Sequence, residues 1–82
     1  MDIILLTKKI IEMIVLDKDA VEVRQFETTD EELIHLEVLV ASDDLGRVIG
    51  RGGKTINSIR NIVQASATLN LNKKIKLEVD SY

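Results

Sequence analysis

The sequence predicts an α+β domain: one three-stranded mixed sheet with its helices on one face. Three observations carry that prediction. The chain has 82 residues of which 45% are apolar, enough for a single core and too few for two. Apolar residues recur at helical spacing near the start and over about 54–69, and at strand spacing over 20–27, 33–40 and 74–79. The resulting order is helix, strand, strand, helix, helix, strand. With no proline, no internal repeat and no linker-like stretch, 1–82 reads as a single domain.

The first helix is expected from Asp2 to about Leu16. Ile3, Leu6, Ile10, Met13 and Ile14 share one face, with Thr7, Lys8, Lys9 and Glu12 opposite. Ile4, Ile11 and Val15 widen the apolar stripe, which is explained either by a helix sunk deeply into the core or by a flank used for dimerisation. Two strands follow. In the first, Val21 and Val23 alternate with Glu22 and Arg24. In the second, Ile34, Leu36, Val38 and Val40 alternate with Leu33, His35, Glu37 and Leu39. The polar segment Thr28–Glu32 is short enough to close a hairpin, so these strands should be antiparallel. Ser42, Asp43 and Asp44 can accept hydrogen bonds from the free amides of a helix start, so a short helix is expected over about 43–49. The longer helix then buries Ile56, Ile59, Val63 and Ala67, with Ile62 beside them, and exposes Asn57, Arg60, Asn61 and Gln64. The last strand points Ile75, Leu77 and Val79 inward. If it lies parallel to the second strand, the helix pair forms a right-handed crossover and the sheet is mixed.

Composition excludes several kinds of chemistry. Without cysteine there is no disulfide, no thiolate metal site and no cysteine nucleophile, and a single histidine, His35, leaves no histidine pair for a metal or an acid–base couple. No enzyme, metal or cofactor is therefore expected. His35 and the lysines at 73, 74 and 76 are expected at the surface. The first residues carry an acid where a leader would be basic, and their apolar run is too short to span a bilayer, so no membrane association and a cytoplasmic location are expected. The formal net charge of −3 conceals a strong asymmetry. Residues 1–44 hold 4 basic and 12 acidic side chains, whereas residues 45–82 hold 7 basic and 2 acidic. Between Leu45 and Arg60 stand Arg47, Arg51, Lys54 and Arg60 with no acid among them. It is this local field that decides where an anion docks.

The segment Val48-Ile49-Gly50-Arg51-Gly52-Gly53-Lys54-Thr55-Ile56 carries the chemistry. Glycines between two helices let backbone approach a ligand closely. Amides opening the second of those helices, at the positive end of its dipole, favour a phosphate. A plain corner needing positive φ is satisfied by one or two glycines, and three beside four basic residues point further, to an anionic backbone. Two other phosphate motifs fail. A P-loop ending at Gly53-Lys54-Thr55 would need glycine at position 48, where Val48 stands, and would follow a strand. A dinucleotide fingerprint is broken by Gly53 directly after Gly52.

This segment resembles the VIGxxGxxI core of the K-homology (KH) domain, a single-stranded RNA- and DNA-binding module, with Gly50 and Gly53 as the GxxG glycines. The element order is similar to the prokaryotic type II arrangement, and the likeness covers nearly the whole chain, as in small bacterial single-KH proteins of the KhpA type. The resemblance implies that Gly50, Arg51, Gly52 and Gly53 clamp the sugar–phosphate backbone of about four unpaired nucleotides. It also implies that Arg51 and Lys54 meet phosphates, and that Ile49 and Ile56 join the two helices and help line an apolar groove. Arg47 and Arg60 are added to this surface on charge alone. Only Phe26 and Tyr82 are aromatic, which argues against an aromatic stacking platform.

The expected function is single-stranded RNA binding, as a post-transcriptional regulator or RNA chaperone. The alternative is a protein–protein assembly module with incidental RNA affinity. Expected partners are RNA and either a second copy or a larger KH-containing RNA-binding protein. The loop 27–32 holds four acids, and if it bordered the groove it would repel phosphate and weaken binding.

Overall fold

A computed structural model describes residues 2–82. Helix α1 spans Ile3–Glu12 and is capped by Asp2, whose Oδ1 accepts the N–H of Leu5 at 3.0 Å. It is shorter than its apolar pattern predicts. Past Glu12 the chain tightens, with Ile14 N–H donating to Ile11 O, and the next free amides are taken elsewhere. Leu16 N–H and Asp17 N–H both donate to the carboxylate of Asp44, each at 3.0 Å. Met13 consequently points outward, 80% exposed, although helical spacing assigns it to the core.

The buried line of α1 is Ile3, Thr7 and Ile11, continued by Val15 beyond the helix. This corrects the sequence reading in two places. Thr7, assigned to the polar face, is fully buried because its hydroxyl donates to Ile3 O at 2.8 Å within its own helix. Ile11 and Val15, candidates for a subunit contact, belong to the core and cannot form an exposed flank.

Strands β1 (Glu22–Phe26) and β2 (Leu33–Val40) pair antiparallel, and β3 (Lys74–Ser81) pairs parallel to β2, giving the order β1-β2-β3. The sheet is mixed, as expected. Alternation in β2 is complete: Ile34, Leu36, Val38 and Val40 are buried under the helices, while Leu33, His35, Glu37 and Leu39 lie half-buried on the open face. On that open face His35 packs on Phe26 with ring centroids 5.2 Å apart, which covers its Nε2 without giving it a hydrogen bond. Glu78 Oε1 lies 3.5 Å away but is poorly aligned. His35 is thus a partly covered residue of the sheet. Lys74 and Lys76 stand on the same face, Lys76 paired with Glu78 at 3.4 Å.

Helices α2 (Leu45–Ile49) and α3 (Lys54–Leu71) complete the helical layer. Val48 is fully buried, as are Val63 and Ala67, with Ile56 and Ile59 almost so. Ile62, expected beside them, is 53% exposed. A left-handed Asn72 ends α3, and Lys73 N–H reaches back to Ala67 O at 3.4 Å. That stop delivers the chain into β3, where Lys74 N–H donates to Glu32 O at 2.8 Å. The acidic loop therefore sits at the far end of α3 from the glycine turn, about 27 Å away for 18 residues. It does not border the turn.

Candidate nucleic-acid interface

The site is built from the C-terminal end of α2, the turn 50–53 and the first turns of α3. All three glycines in this turn have positive φ: Gly50 at 74°, Gly52 at 62° and Gly53 at 79°. The backbone alone therefore accounts for every one of them, more than the one or two that a corner was expected to need. Gly50 is also fixed by crowding. A Cβ there would lie 2.3 Å from Thr55 Oγ1 and 2.9 Å from Thr55 N, so glycine lets α2 meet the start of α3. At Gly52, by contrast, nothing lies within 4 Å of where a Cβ would stand. The outer side of the turn is open.

Part of its hydrogen bonding is internal. Gly50 N–H donates to Gly46 O, Gly53 N–H to Gly50 O, and Lys54 N–H to Arg51 O. Arg51 and Gly52 open the helical turn Arg51–Gly53, so their N–H groups are first-turn donors, and no side chain caps them. Nor does any side chain cap α3, because its N-cap is Gly53. An 18-residue helix thus starts without a side-chain cap, beside those first-turn amides and a Gly52 whose Cβ position is open.

The cations divide into two kinds. Arg51 and Lys54 are exposed and form no ion pair among the described residues. Arg47 and Arg60 are held. Arg47 Nε lies 3.8 Å from Asp44 Oδ1, with its side chain still half exposed. Arg60 Nε donates to Leu77 O at 3.0 Å, and its Nη1 donates to Asn57 Oδ1 at 3.2 Å, so it bridges α3 to the edge of β3. Ile49 is half-buried beside the turn, whereas Ile56 is only 4% exposed and acts mainly in the core. Ile49, Gly50, Arg51, Gly52, Gly53 and Lys54 thus form the turn and its two flanks, Arg47 stands three residues before it beside Asp44, and Arg60 lies farther along α3 against β3.

Sequence reasoning missed what steadies this opening. Asp44 was expected to cap a helix start, yet its carboxylate, 2% exposed, forms no cap bond on α2. It holds instead the amides of Leu16 first and Asp17 next, which together with Arg47 keep its carboxyl below the ordinary aspartate range. The chain after α1 is thereby tied to the residue that opens α2. Only a contact 28 positions away reveals this role, and no local pattern encodes it. Three surface depressions sit near the acidic loop and Lys73, at the other end of α3.

A mixed αββααβ sheet domain whose second and third helices are joined by a GxxG turn is a KH domain of type II order. The comparisons agree. Residues 5–79 match the KhpA/KhpB KH-domain family, and the chain belongs to that family. It is 40% identical over 58 residues to the RNA-binding protein KhpA of Clostridium acetobutylicum, covering 71% of this chain and 76% of that one. With KhpA of Caldanaerobacter subterraneus subsp. tengcongensis it shares 36% identity over 74 residues, covering 90% and 95% of the two. Among solved structures, Era of Aquifex aeolicus bound to GDP·AlF4− superposes with a TM-score of 0.73 at 16% identity. Era in complex with MgGDPNP and nucleotides 1506–1542 of 16S ribosomal RNA gives 0.70 at 15%. Both cover 96% of this chain, which spans 29% of the Era chain, and at such identity they show the fold alone. The expectation of a binding protein, not an enzyme, stands with the family. No helix is long and apolar enough to cross a membrane.

Proposed function

We propose that this protein binds single-stranded RNA by seating the sugar–phosphate backbone on the turn Gly50–Gly53. The observation that carries the reading is the pair of first-turn amides, Arg51 N–H and Gly52 N–H, on exposed residues at a helix start that no side chain caps. Donors of this kind favour an anion in front of them. Arg51 and Lys54, free of internal partners, supply the mobile charge, and Arg47 contributes from the side. The relatives described as RNA-binding proteins support the same ligand. A single KH unit with a shallow site is suited to weak, backbone-led binding. Strength then comes from a second KH unit, in a homodimer or with a larger KH-containing RNA-binding protein, and the role is that of a post-transcriptional regulator or RNA chaperone in the cytoplasm.

Salt dependence tests this directly. Contacts to about three or four phosphates of a single strand predict a slope of log K against log salt of roughly −2 to −3. A flat slope, or no retardation of RNA at low salt, would support the protein-assembly alternative instead.

A further inference from the structure

Strand β3 is an edge of the sheet and, at eight residues, as long as β2. Side chains of α3 occupy part of that edge. The Gln64 amide behaves as a strand residue, its Nε2 donating to Lys73 O at 3.1 Å and its Oε1 accepting Ile75 N–H at 2.8 Å. A residue of a parallel neighbouring strand bonds the same two groups, the carbonyl before and the amide after the residue it faces. Nε2 also donates to Thr68 Oγ1 at 3.0 Å, which orients the amide from within α3. Both of its hydrogens and its oxygen are therefore engaged. Farther along the strand, Arg60 Nε donates to Leu77 O at 3.0 Å.

The strand's own sequence says what fits this edge. Lys74, Lys76, Glu78 and Asp80 are exposed on the open face, while Ile75, Leu77 and Val79 turn towards the helices. Laid antiparallel on a second copy of itself, with Leu77 opposite Leu77, the strand sets Lys74 against Asp80, Lys76 against Glu78 and Ile75 against Val79, each twice. Every charge meets its opposite and every apolar residue meets another, and such cross-strand pairs stabilise an antiparallel sheet. Ile75 and Leu77, whose edge groups α3 now holds, are residues that would bond across that pair. We propose that β3 is a self-complementary docking edge for a second copy of this chain, and that Gln64, helped by Arg60, holds it closed. An uncovered edge strand is a template for pairing, and here the cover consists of two side chains. The proposal stands apart from the RNA-binding reading, and its test contains no RNA.

The experiment follows the full chain by sedimentation velocity over a range of concentrations, with hydrogen exchange of the Ile75 amide read in dilute samples by NMR. Gln64→Ala removes the cover. Ile75 exchange should quicken when dilute, and the sedimenting mass should rise above that of the wild type as concentration increases. Thr68→Val loosens the Gln64 amide without removing it, should do both to a smaller degree, and carries the test if Gln64→Ala unfolds. In whichever variant folds, adding Lys76→Glu sets like charges opposite each other twice and should weaken the new association by about 10-fold or more. Adding Glu78→Lys as well restores opposite charges and should restore the association. The proposal is overturned if Ile75 exchange in a folded variant does not quicken, or quickens while the mass follows the wild type. It is equally overturned if the association ignores the charge reversal, or if a folded charge swap stays as weak as the single reversal.

Discussion

Helix α3 has a turn at each end, and the two are built in opposite ways. At the far end, the hairpin loop 27–32 satisfies itself. Asp30 N–H donates to Thr28 Oγ1 at 3.1 Å, Glu32 N–H to Asp30 Oδ1 at 2.9 Å, and Leu33 N–H to Asp30 O at 3.1 Å. Its side chains consume its own donors, and its four acids face solvent. At the near end, the glycine turn has no side-chain oxygen on Gly50, Gly52 or Gly53 to do the same, so no side chain satisfies the first-turn amides of Arg51 and Gly52, which stand beside the unpaired Arg51 and Lys54. One loop is chemically closed and negative. The other is open and positive. Placing them at opposite ends of an 18-residue helix lets an acidic chain keep a local basic surface.

The contrast is broken most strongly by putting the chemistry of one turn into the other. The double change Arg51→Asp with Gly52→Asp sets two carboxylates beside those first-turn amides. RNA affinity should fall by about 100-fold or more, read by anisotropy, since like charge at a contact opposes binding by several kcal/mol. Thermal unfolding should move little, because a side chain at Gly52 meets open space and aspartate tolerates the left-handed backbone there. Gly50→Ala attacks the same turn through packing. Its Cβ would overlap Thr55 Oγ1, so we expect a loss of about 1–3 kcal/mol, a Tm lower by roughly 4–20 °C. Gly46→Ala is the control. Nothing lies within 4 Å of its Cβ position on α2, and alanine there should gain up to about 1 kcal/mol in a denaturant titration.

Much of this was legible in the sequence. Strand alternation in β2 and the buried face of α3 follow from spacing, because each element meets the core along one continuous face. What the sequence hid depends on contacts between distant segments. Thr7 reads as polar until its hydroxyl is bonded within its own helix, and Met13 reads as core until Asp44 diverts the chain after α1. The location of the acidic loop follows from the parallel pairing of β2 with β3, which carries Glu32 to Lys74 and away from the glycine turn. The glycine turn was legible as a candidate anion site, whereas the separate duties of its glycines were not. Gly50 is demanded by Thr55, and Gly52 leaves the approach open.

Asp44 sharpens the comparison more mildly, since it steadies the near end without touching a ligand. Asp44→Asn should lower Tm, and it should also change the acid limb of the stability curve. With the folded carboxyl held below its ordinary value, its contribution is complete above the unfolded aspartate pKa and is lost as pH falls through the lowered folded value. The asparagine variant should lack that component when unfolding is followed between neutral and acid pH. The smallest effect is expected at the far end. Reversing charge with Glu31→Lys and Glu32→Lys should change RNA affinity by less than about twofold at physiological salt, because about 27 Å exceeds the screening length of about 8 Å.

The most direct measurement is a residue-resolved titration of the ¹⁵N-labelled protein with octauridine, following backbone amides. RNA binding at the turn predicts that the largest shifts fall on Arg51, Gly52 and Lys54, with smaller ones at Arg47 and Thr55, while the amides of residues 28–33 stay in place. Shifts concentrated in the hairpin loop or on the open face of the sheet, with Arg51 and Gly52 unmoved, would contradict it.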